Sequence, residues 1–163
     1  MDEIIEIRVD DRLIHGQVAG LWTNALQATR LMVIDDAVSQ NETQKSLLRM
    51  VAPGSVNTSI ISEEKAFLNI SAGKYVGQRV FVIVKSPVVI LNLLKRGLPI
   101  KRINIGNISA RDDTKVLKSG ISVTLTEEKA LKEILDAGVQ ITTIRTPTDP
   151  EAFLTKKDLK EKS

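Results

Sequence analysis

The sequence predicts a single α/β domain: an open, twisted, mainly parallel sheet of about seven strands with helices on both faces. Three observations carry that reading. Short β-branched runs alternate with segments of helical periodicity along the chain. Several runs are apolar on consecutive residues, as in strands covered on both faces. The connections between them are long enough for right-handed helical crossovers. At 163 residues the chain suits one hydrophobic core.

The first strand reads Ile4-Ile5-Glu6-Ile7-Arg8-Val9. Val18, Leu21, Trp22, Ala25 and Leu26 then recur along one helical stripe, on which Trp22 reads as core. Leu31 to Ile34 is a second strand. Ser39-Gln40-Asn41-Glu42 has the form of a capping box, opening a helix to about Val51 that Pro53-Gly54 stops. The strand Val56 to Ile61 leads into a helix from Ser62, with Ala66, Phe67 and Ile70 on its apolar face. Val80 to Val84 is a strand, Ser86-Pro87 starts the next helix, and Gly97 with Pro99 ends it.

Arg102 to Ile105, Ile121 to Leu125 and Val139 to Ile144 complete the strands. Ile121, Val123 and Leu125 alternate with Ser122 and Thr124, which predicts a half-exposed strand nearer an edge. Thr126-Glu127-Glu128 opens the last long helix, with Leu131, Ile134 and Leu135 inward and Gly138 past its end. Asn107 to Gly120 shows no clean helix, and one antiparallel pairing fits there. The tail from about Thr155 reads as a frayed helix or a disordered end. Residues 1–163 show no repeat or linker and are expected to form one domain.

Composition excludes several classes of function. Hydrophobic residues at 42% and charged residues at 26% describe a globular chain, not a disordered one. A net charge of +3 spread along the chain, with 3% aromatics, argues against nucleic acid. The absence of cysteine removes disulfides, thiol nucleophiles and thiolate metal sites. The single histidine, His15, removes multi-histidine metal sites. The acidic start Met1-Asp2-Glu3-Ile4 lacks a signal peptide's basic region, and the apolar stretch Val88 to Leu94 is too short to span a bilayer. A cytoplasmic protein is expected.

The chemistry-bearing segment is Asp10-Asp11-Arg12-Leu13-Ile14-His15-Gly16-Gln17. It joins the first strand to the first helix, at the carboxyl edge of the sheet where open α/β proteins bind ligands. The same edge carries Asp35-Asp36, Lys85-Ser86 and Gly106-Asn107. Arg12 offers a charged fork for phosphoryl oxygens, and amides around Gly16-Gln17 offer an anion site. His15 is a candidate nucleophile, with Asp10 or Asp35 as the carboxylate that fixes its tautomer. Gly16 permits close backbone approach. Each has a structural counter-reading. Asp10-Asp11 can cap a turn and pair with Arg12, Asp35-Asp36 is a turn signal, and Ser86 is first a helix cap. Leu13 and Ile14 are either core or partner-facing. No phosphate-loop, dinucleotide or serine-hydrolase motif is present.

The stretch Arg8-Val9-Asp10-Asp11-Arg12-Leu13-Ile14-His15-Gly16-Gln17-Val18, followed by Trp22, resembles the enzyme IIB component of the mannose/fructose/sorbose-type bacterial sugar phosphotransferase system. Val33-Ile34-Asp35-Asp36, Val51-Ala52-Pro53, Pro99-Ile100-Lys101 and Asn104-Ile105-Gly106-Asn107 extend the likeness. The resemblance implies a phosphohistidine carrier on an open α/β fold, a protein-N(pi)-phosphohistidine–sugar phosphotransferase.

It implies that His15 accepts a phosphoryl group at Nδ1 from a phosphorylated IIA protein. The group then passes to a sugar held by a membrane IIC/IID transporter, with which the carrier associates peripherally. The carrier reaction itself requires no metal or organic cofactor. Read from residue type and placement, Arg12, Gly16, Gln17 and Ser86 are expected to attend the phosphate, Asp10 to serve the histidine, and Asp11, Asp35, Asp36 and Asn107 to support the site. The sugar is expected to be a hexose or amino sugar: mannose, fructose, sorbose or N-acetylgalactosamine. IIA is expected on a separate polypeptide, or on a segment removed from this chain, and a homo-oligomer is left open. The alternative is a non-enzymatic α/β module binding a phosphometabolite or nucleotide.

Overall fold

The computed structural model describes residues 1–16 and 18–160. Its first half runs β1 (Ile4–Asp10), a π-helical turn (Val18–Trp22) continuing into α1 (Thr23–Leu26), β2 (Arg30–Ile34), α2 (Asp36–Ser39), α3 (Glu42–Val51), β3 (Asn57–Ile61) and α4 (Glu63–Ser71). Its second half runs β4 (Val80–Val84), α5 (Pro87–Arg96), β5 (Arg102–Asn107), β6 (Lys115–Lys118), β7 (Ile121–Val123), α6 (Leu125–Asp136), β8 (Gln140–Thr142), β9 (Phe153–Leu154) and α7 (Lys156–Lys160).

Seven strands form the main sheet in the order β3-β2-β4-β1-β5-β8-β9. Every pairing is parallel except β8 with β9. The alternation of side chains along each strand feeds two cores, one per face. On β4, Val80, Val82 and Val84 join one core with Ile70 of α4, Leu93 of α5 and Ile134 of α6. Phe81 and Ile83 join the other with Val18, Trp22, Val38 and Leu48. Burying a side chain of this size contributes about 1.5–3 kcal/mol, and β4, covered on both faces, is apolar at every position.

Local chemistry sets most ends. Ser62, Ser86 and Thr124 each cap the following helix by accepting a backbone N–H, and Gly97 closes α5 at φ 112°. Thr124 and Glu127 form a complete capping box, so α6 begins at Leu125, before the Thr126 start that the sequence predicts. The box predicted at Ser39 is not formed. Asp35 caps the short α2 and Asn41 caps α3, each through its own carbonyl or carboxylate oxygen. The helix after β1 begins as a π-turn. The Thr23 hydroxyl donates to Val18 O, five residues back, at 2.7 Å and so holds the wider turn.

The predicted edge strand Ile121 to Leu125 is corrected in two ways. β7 stops at Val123 and pairs antiparallel with β6 in a separate two-stranded sheet, across Ser119-Gly120 with Gly120 at φ 79°. It is also buried throughout, because the Ser122 amide donates to Ile108 O and so fastens the hairpin onto the chain leaving β5. The seventh place in the main sheet belongs to β9. The segment expected as a frayed tail carries α7, whose Leu159 is buried in the core. Among the described residues no helix is long and apolar enough to cross a membrane.

Candidate phosphoryl-transfer site

β1 ends at Asp10, three strands in from the β3 edge and at the carboxyl end of the parallel sheet. Its alternation puts Ile7 and Val9 in one core and turns Glu6, Arg8 and Asp10 to the opposite face. Arg8 and Asp10 are both fully buried. Buried charges persist only when paired and hydrogen-bonded. Arg8 donates to Asp10 Oδ2 from Nε at 3.3 Å and from Nη2 at 3.2 Å, and to Asn104 Oδ1 from Nη1 at 2.8 Å. The guanidinium also lies over the Trp22 ring, 4.8 Å from its centroid. Asn104 passes the network outward, donating to Thr142 Oγ1 at 3.0 Å and Ile144 O at 2.9 Å.

After Asp10 the chain turns sharply, with the Leu13 amide donating to Asp10 O at 2.9 Å. The Asp10 carboxylate closes the same turn by accepting the Arg12 amide at 3.1 Å. Arg12 folds back to form a two-pronged pair, Nε to Oδ1 and Nη2 to Oδ2, both at 2.9 Å. Leu13 sits at φ 59°, an uncommon conformation for a branched side chain, and is held there by burial of Leu13 and Ile14 in the second core. Both residues are therefore core.

His15 emerges from this turn with 19% of its side chain accessible. Its Nε2 lies 3.0 Å from Asp10 Oδ2, so Asp10, not Asp35, is the carboxylate that orients the ring. Burial pushes the Asp10 carboxyl up. Hydrogen bonds from the Arg12 and His15 side chains and the Arg12 amide, with the charge of Arg8, outweigh this and hold it below the ordinary carboxylate range. An ionised carboxylate only accepts, so the ring must carry its proton on Nε2. Among the described residues nothing bonds Nδ1. In the neutral ring Nδ1 then carries an unprotonated lone pair, as a nucleophile requires.

The remaining predicted residues divide into two groups. Asp11 accepts from Asn107 Nδ2 at 2.9 Å and from the Ser109 amide at 2.7 Å, lacing the end of β1 to the end of β5. Ser86 caps α5 and, with Asp11 and Arg12, lines an open groove of about 470 Å³ to which Lys85, Arg111 and Ser109 also contribute. A Cβ on Gly16 would meet nothing within 4 Å, so Gly16 borders open space. Asp35 and Asp36 are not brought to His15. Asp35 accepts the Val38 amide, and Asp36 accepts the Glu63 amide, both at 2.8 Å. Gln17 lies outside the described residues.

The sequence reading missed Arg8, Asn104, Thr142 and the role of Gly106. A Cβ on Gly106 would collide with the Arg8 guanidinium, so that glycine makes the room Arg8 occupies. The available signal was Glu6, Arg8 and Asp10 recurring with period two in a strand that had to be central. Charges so spaced in a buried strand imply partners across the sheet.

Comparison with known proteins places the chain in a family. Residues 4–163 match the family described as PTS system sorbose subfamily IIB component. The chain is 32% identical over 149 residues to the PTS system fructose-specific EIIB component of Bacillus subtilis (strain 168), covering 91% of each. Its fold superposes on the crystal structure of the IIBSor domain of the sorbose permease from Klebsiella pneumoniae with a TM-score of 0.91 at 29% identity, covering 98% of both chains. An N-acetyl-galactosamine-IIB component from Streptococcus pyogenes gives a TM-score of 0.85 at 34% identity, over 95% of this chain and 96% of that one. The chain belongs to the sorbose-subfamily IIB components of the phosphotransferase system.

Proposed function

We propose that His15 is the phosphorylated residue of this IIB component and that its Nδ1 carries the phosphoryl group. The observation that supports this most directly is the 3.0 Å contact of Nε2 with Asp10. It leaves Nδ1 as the free, unprotonated nitrogen. In the first step the Nδ1 lone pair attacks phosphorus on the phosphohistidine of a IIA protein. The new N–P bond forms as the donor's N–P bond breaks, and the donor imidazole leaves.

The product ring bears phosphoryl on Nδ1 and hydrogen on Nε2 and is cationic, so the ionised Asp10 stabilises it. In the second step a sugar hydroxyl held by the membrane IIC/IID transporter attacks phosphorus. The Nδ1–P bond breaks, its electrons return to the ring, and the hydroxyl proton passes to a base or to solvent. Arg12, fixed by Asp10, retains Nη1 for phosphoryl oxygens, and Ser86 stands in the same groove. Open space beside Gly16 admits the group. Stabilisation by such fixed charges favours the charge-spread transition state over the ground state.

The carrier works on the cytoplasmic side, docking first with IIA and then with the transporter. Its sugar is a hexose or amino sugar. Relatives named for fructose, sorbose, mannose and N-acetylgalactosamine are about equally similar to it, so similarity does not choose among them. Membership of the family does not favour the alternative of a purely non-covalent binding module at this loop.

The test is intact mass after incubation with phosphoenolpyruvate, the general phosphotransferase proteins and a IIA component shown to be charged. Wild type is expected to gain one acid-labile, alkali-stable phosphoryl group, and His15→Ala none. A wild type that stays unmodified beside charged IIA proteins from each of the four sugar classes would overturn the proposal.

A further inference from the structure

Edge strand β3 carries a second concavity, between α3 and α4 and three strand positions from β1, about 14 Å across the sheet at ordinary strand spacing. Its volume is about 320 Å³. Arg30, Lys45, Arg49, Lys65 and Lys74 all line it, and no aspartate or glutamate does. Among the described residues the one acidic contact to these five is Glu42, which approaches Lys45 at 3.6 Å from solvent. Among the described residues Arg49, Lys65 and Lys74 have no acidic partner.

A row of solvated lysines would explain exposed cations on an edge strand. It does not explain Arg30. That guanidinium is fixed from three directions: Nε donates to Gln78 Oε1 at 2.7 Å, Nη1 donates to Ser59 Oγ at 2.8 Å, and the group lies 5.4 Å from the centroid of the Tyr75 ring. One cation is thus held in place at the wall of a hollow that is also lined by Lys45 and Arg49 of α3, Lys65 of α4 and Lys74 of the turn that follows α4. Five like charges with a single exposed counter-charge repel one another, and a bound anion of high charge relieves that repulsion.

The occupant's size and chemistry follow from the lining. The volume lies at the low end of the range for small-molecule sites, which admits a phosphate with a body about as large as a hexose. The only aromatic ring in the wall, Tyr75, is buried and already faces Arg30, so no stacking platform is offered to a nucleobase. We propose that this hollow binds a small phosphorylated metabolite of the phosphomonoester or pyrophosphate type, independently of the His15 loop.

The test is a ¹H–¹⁵N titration of the full chain at low salt with fructose 6-phosphate and, separately, with inorganic pyrophosphate. Saturable shifts are expected at Ser59, Lys65, Asn69 and Lys74, and they persist in His15→Ala. The double variant Arg49→Gln/Lys65→Gln, both exposed helix positions, is expected to weaken binding by about tenfold or more, as loss of charge-assisted hydrogen bonds does. The control Lys129→Gln/Lys132→Gln removes the same charge from α6 and should leave the midpoint in place.

Three outcomes would overturn the proposal. One is the absence of saturable shifts with either anion up to about 10 mM. Another is equal weakening by both double variants, which marks general screening. The third is binding to phosphatidylglycerol vesicles but to neither solute, which marks a membrane surface instead. Phosphoryl acceptance by Arg49→Gln/Lys65→Gln is expected to match wild type, so failure here leaves the role of His15 separately measurable.

Discussion

The guanidinium of Arg8 occupies the space in front of Gly106, where the Cβ of any other residue would stand. A glycine of β5 and a fully buried cation of the adjacent β1 are thus one structural unit. Gly106→Ala is expected to push the guanidinium off Asp10 and Asn104. Separating a buried pair costs about 3–5 kcal/mol, and denaturant unfolding should show a loss of that size. In Arg8→Met/Gly106→Ala the colliding group is gone, so the second substitution should cost at least about 1 kcal/mol less than it does alone.

Asp10 controls the tautomer of His15. The ring nitrogens of wild type at alkaline pH should report hydrogen on Nε2, read from long-range ¹H–¹⁵N spectra. Asp10→Asn can present an amide donor to Nε2 and is expected to mix the tautomers. Phosphoryl acceptance from charged IIA should fall by about 10²-fold, the scale of losing a positioned proton partner. A variant that keeps wild-type tautomer and rate would remove Asp10 from the mechanism.

Arg12 is bidentate on Asp10 yet partly exposed, with 44% of its side chain accessible. Arg12→Lys retains the charge and loses the fork. Screening limits the stability change to below about 1 kcal/mol, read by thermal unfolding. The rate of phosphoryl acceptance should fall by about tenfold, since one positioned hydrogen bond to a charged group contributes on that order. A large stability loss with no change in rate would contradict this.

Glu6 behaves oppositely to Asp10 with pH. Burial raises its carboxyl above the ordinary range, only partly countered by Arg102, the Ile7 amide and Arg8. A carboxyl whose folded-state value is raised destabilises the fold wherever it is ionised, and this penalty disappears as pH falls through that value to the unfolded one. Glu6→Gln is therefore expected to be more stable than wild type at pH 7, with the advantage gone at acid pH. Asp10, held low, contributes stability at neutral pH that is lost as pH falls through its lowered value. Urea unfolding across pH would show both slopes.

What was legible in the sequence was local. The run Val80 to Val84 announces a strand buried on both faces, and Ser86-Pro87 announces a helix start, because each signal needs only its neighbours. Asp10, Arg12 and His15 fall within one turn, so their meeting could be anticipated. Arg8, Asn104 and Thr142 could not be paired in the same way. They meet only because β1, β5 and β8 lie side by side with Arg8 opposite Asn104 and Asn104 opposite Thr142, across separations of 96 and 38 residues. The misread Ile121 to Leu125 has the same cause. Its alternation is genuine, but Ser122 is covered by the chain at Ile108, which sequence periodicity does not see. Phe153-Leu154 is too short to carry any periodic signal.

Leu13 and Ile14 give the loop of His15 a further property. With both side chains anchored beneath it, the segment gave up its conformational freedom when the protein folded. A carrier must meet a donor and then an acceptor, and a limp loop would have to be ordered afresh at each encounter. Here neither partner has to do that work, so more of each docking free energy remains for recognition. In the role proposed for His15, exchange between partners can then stay brief while the imidazole keeps its aim.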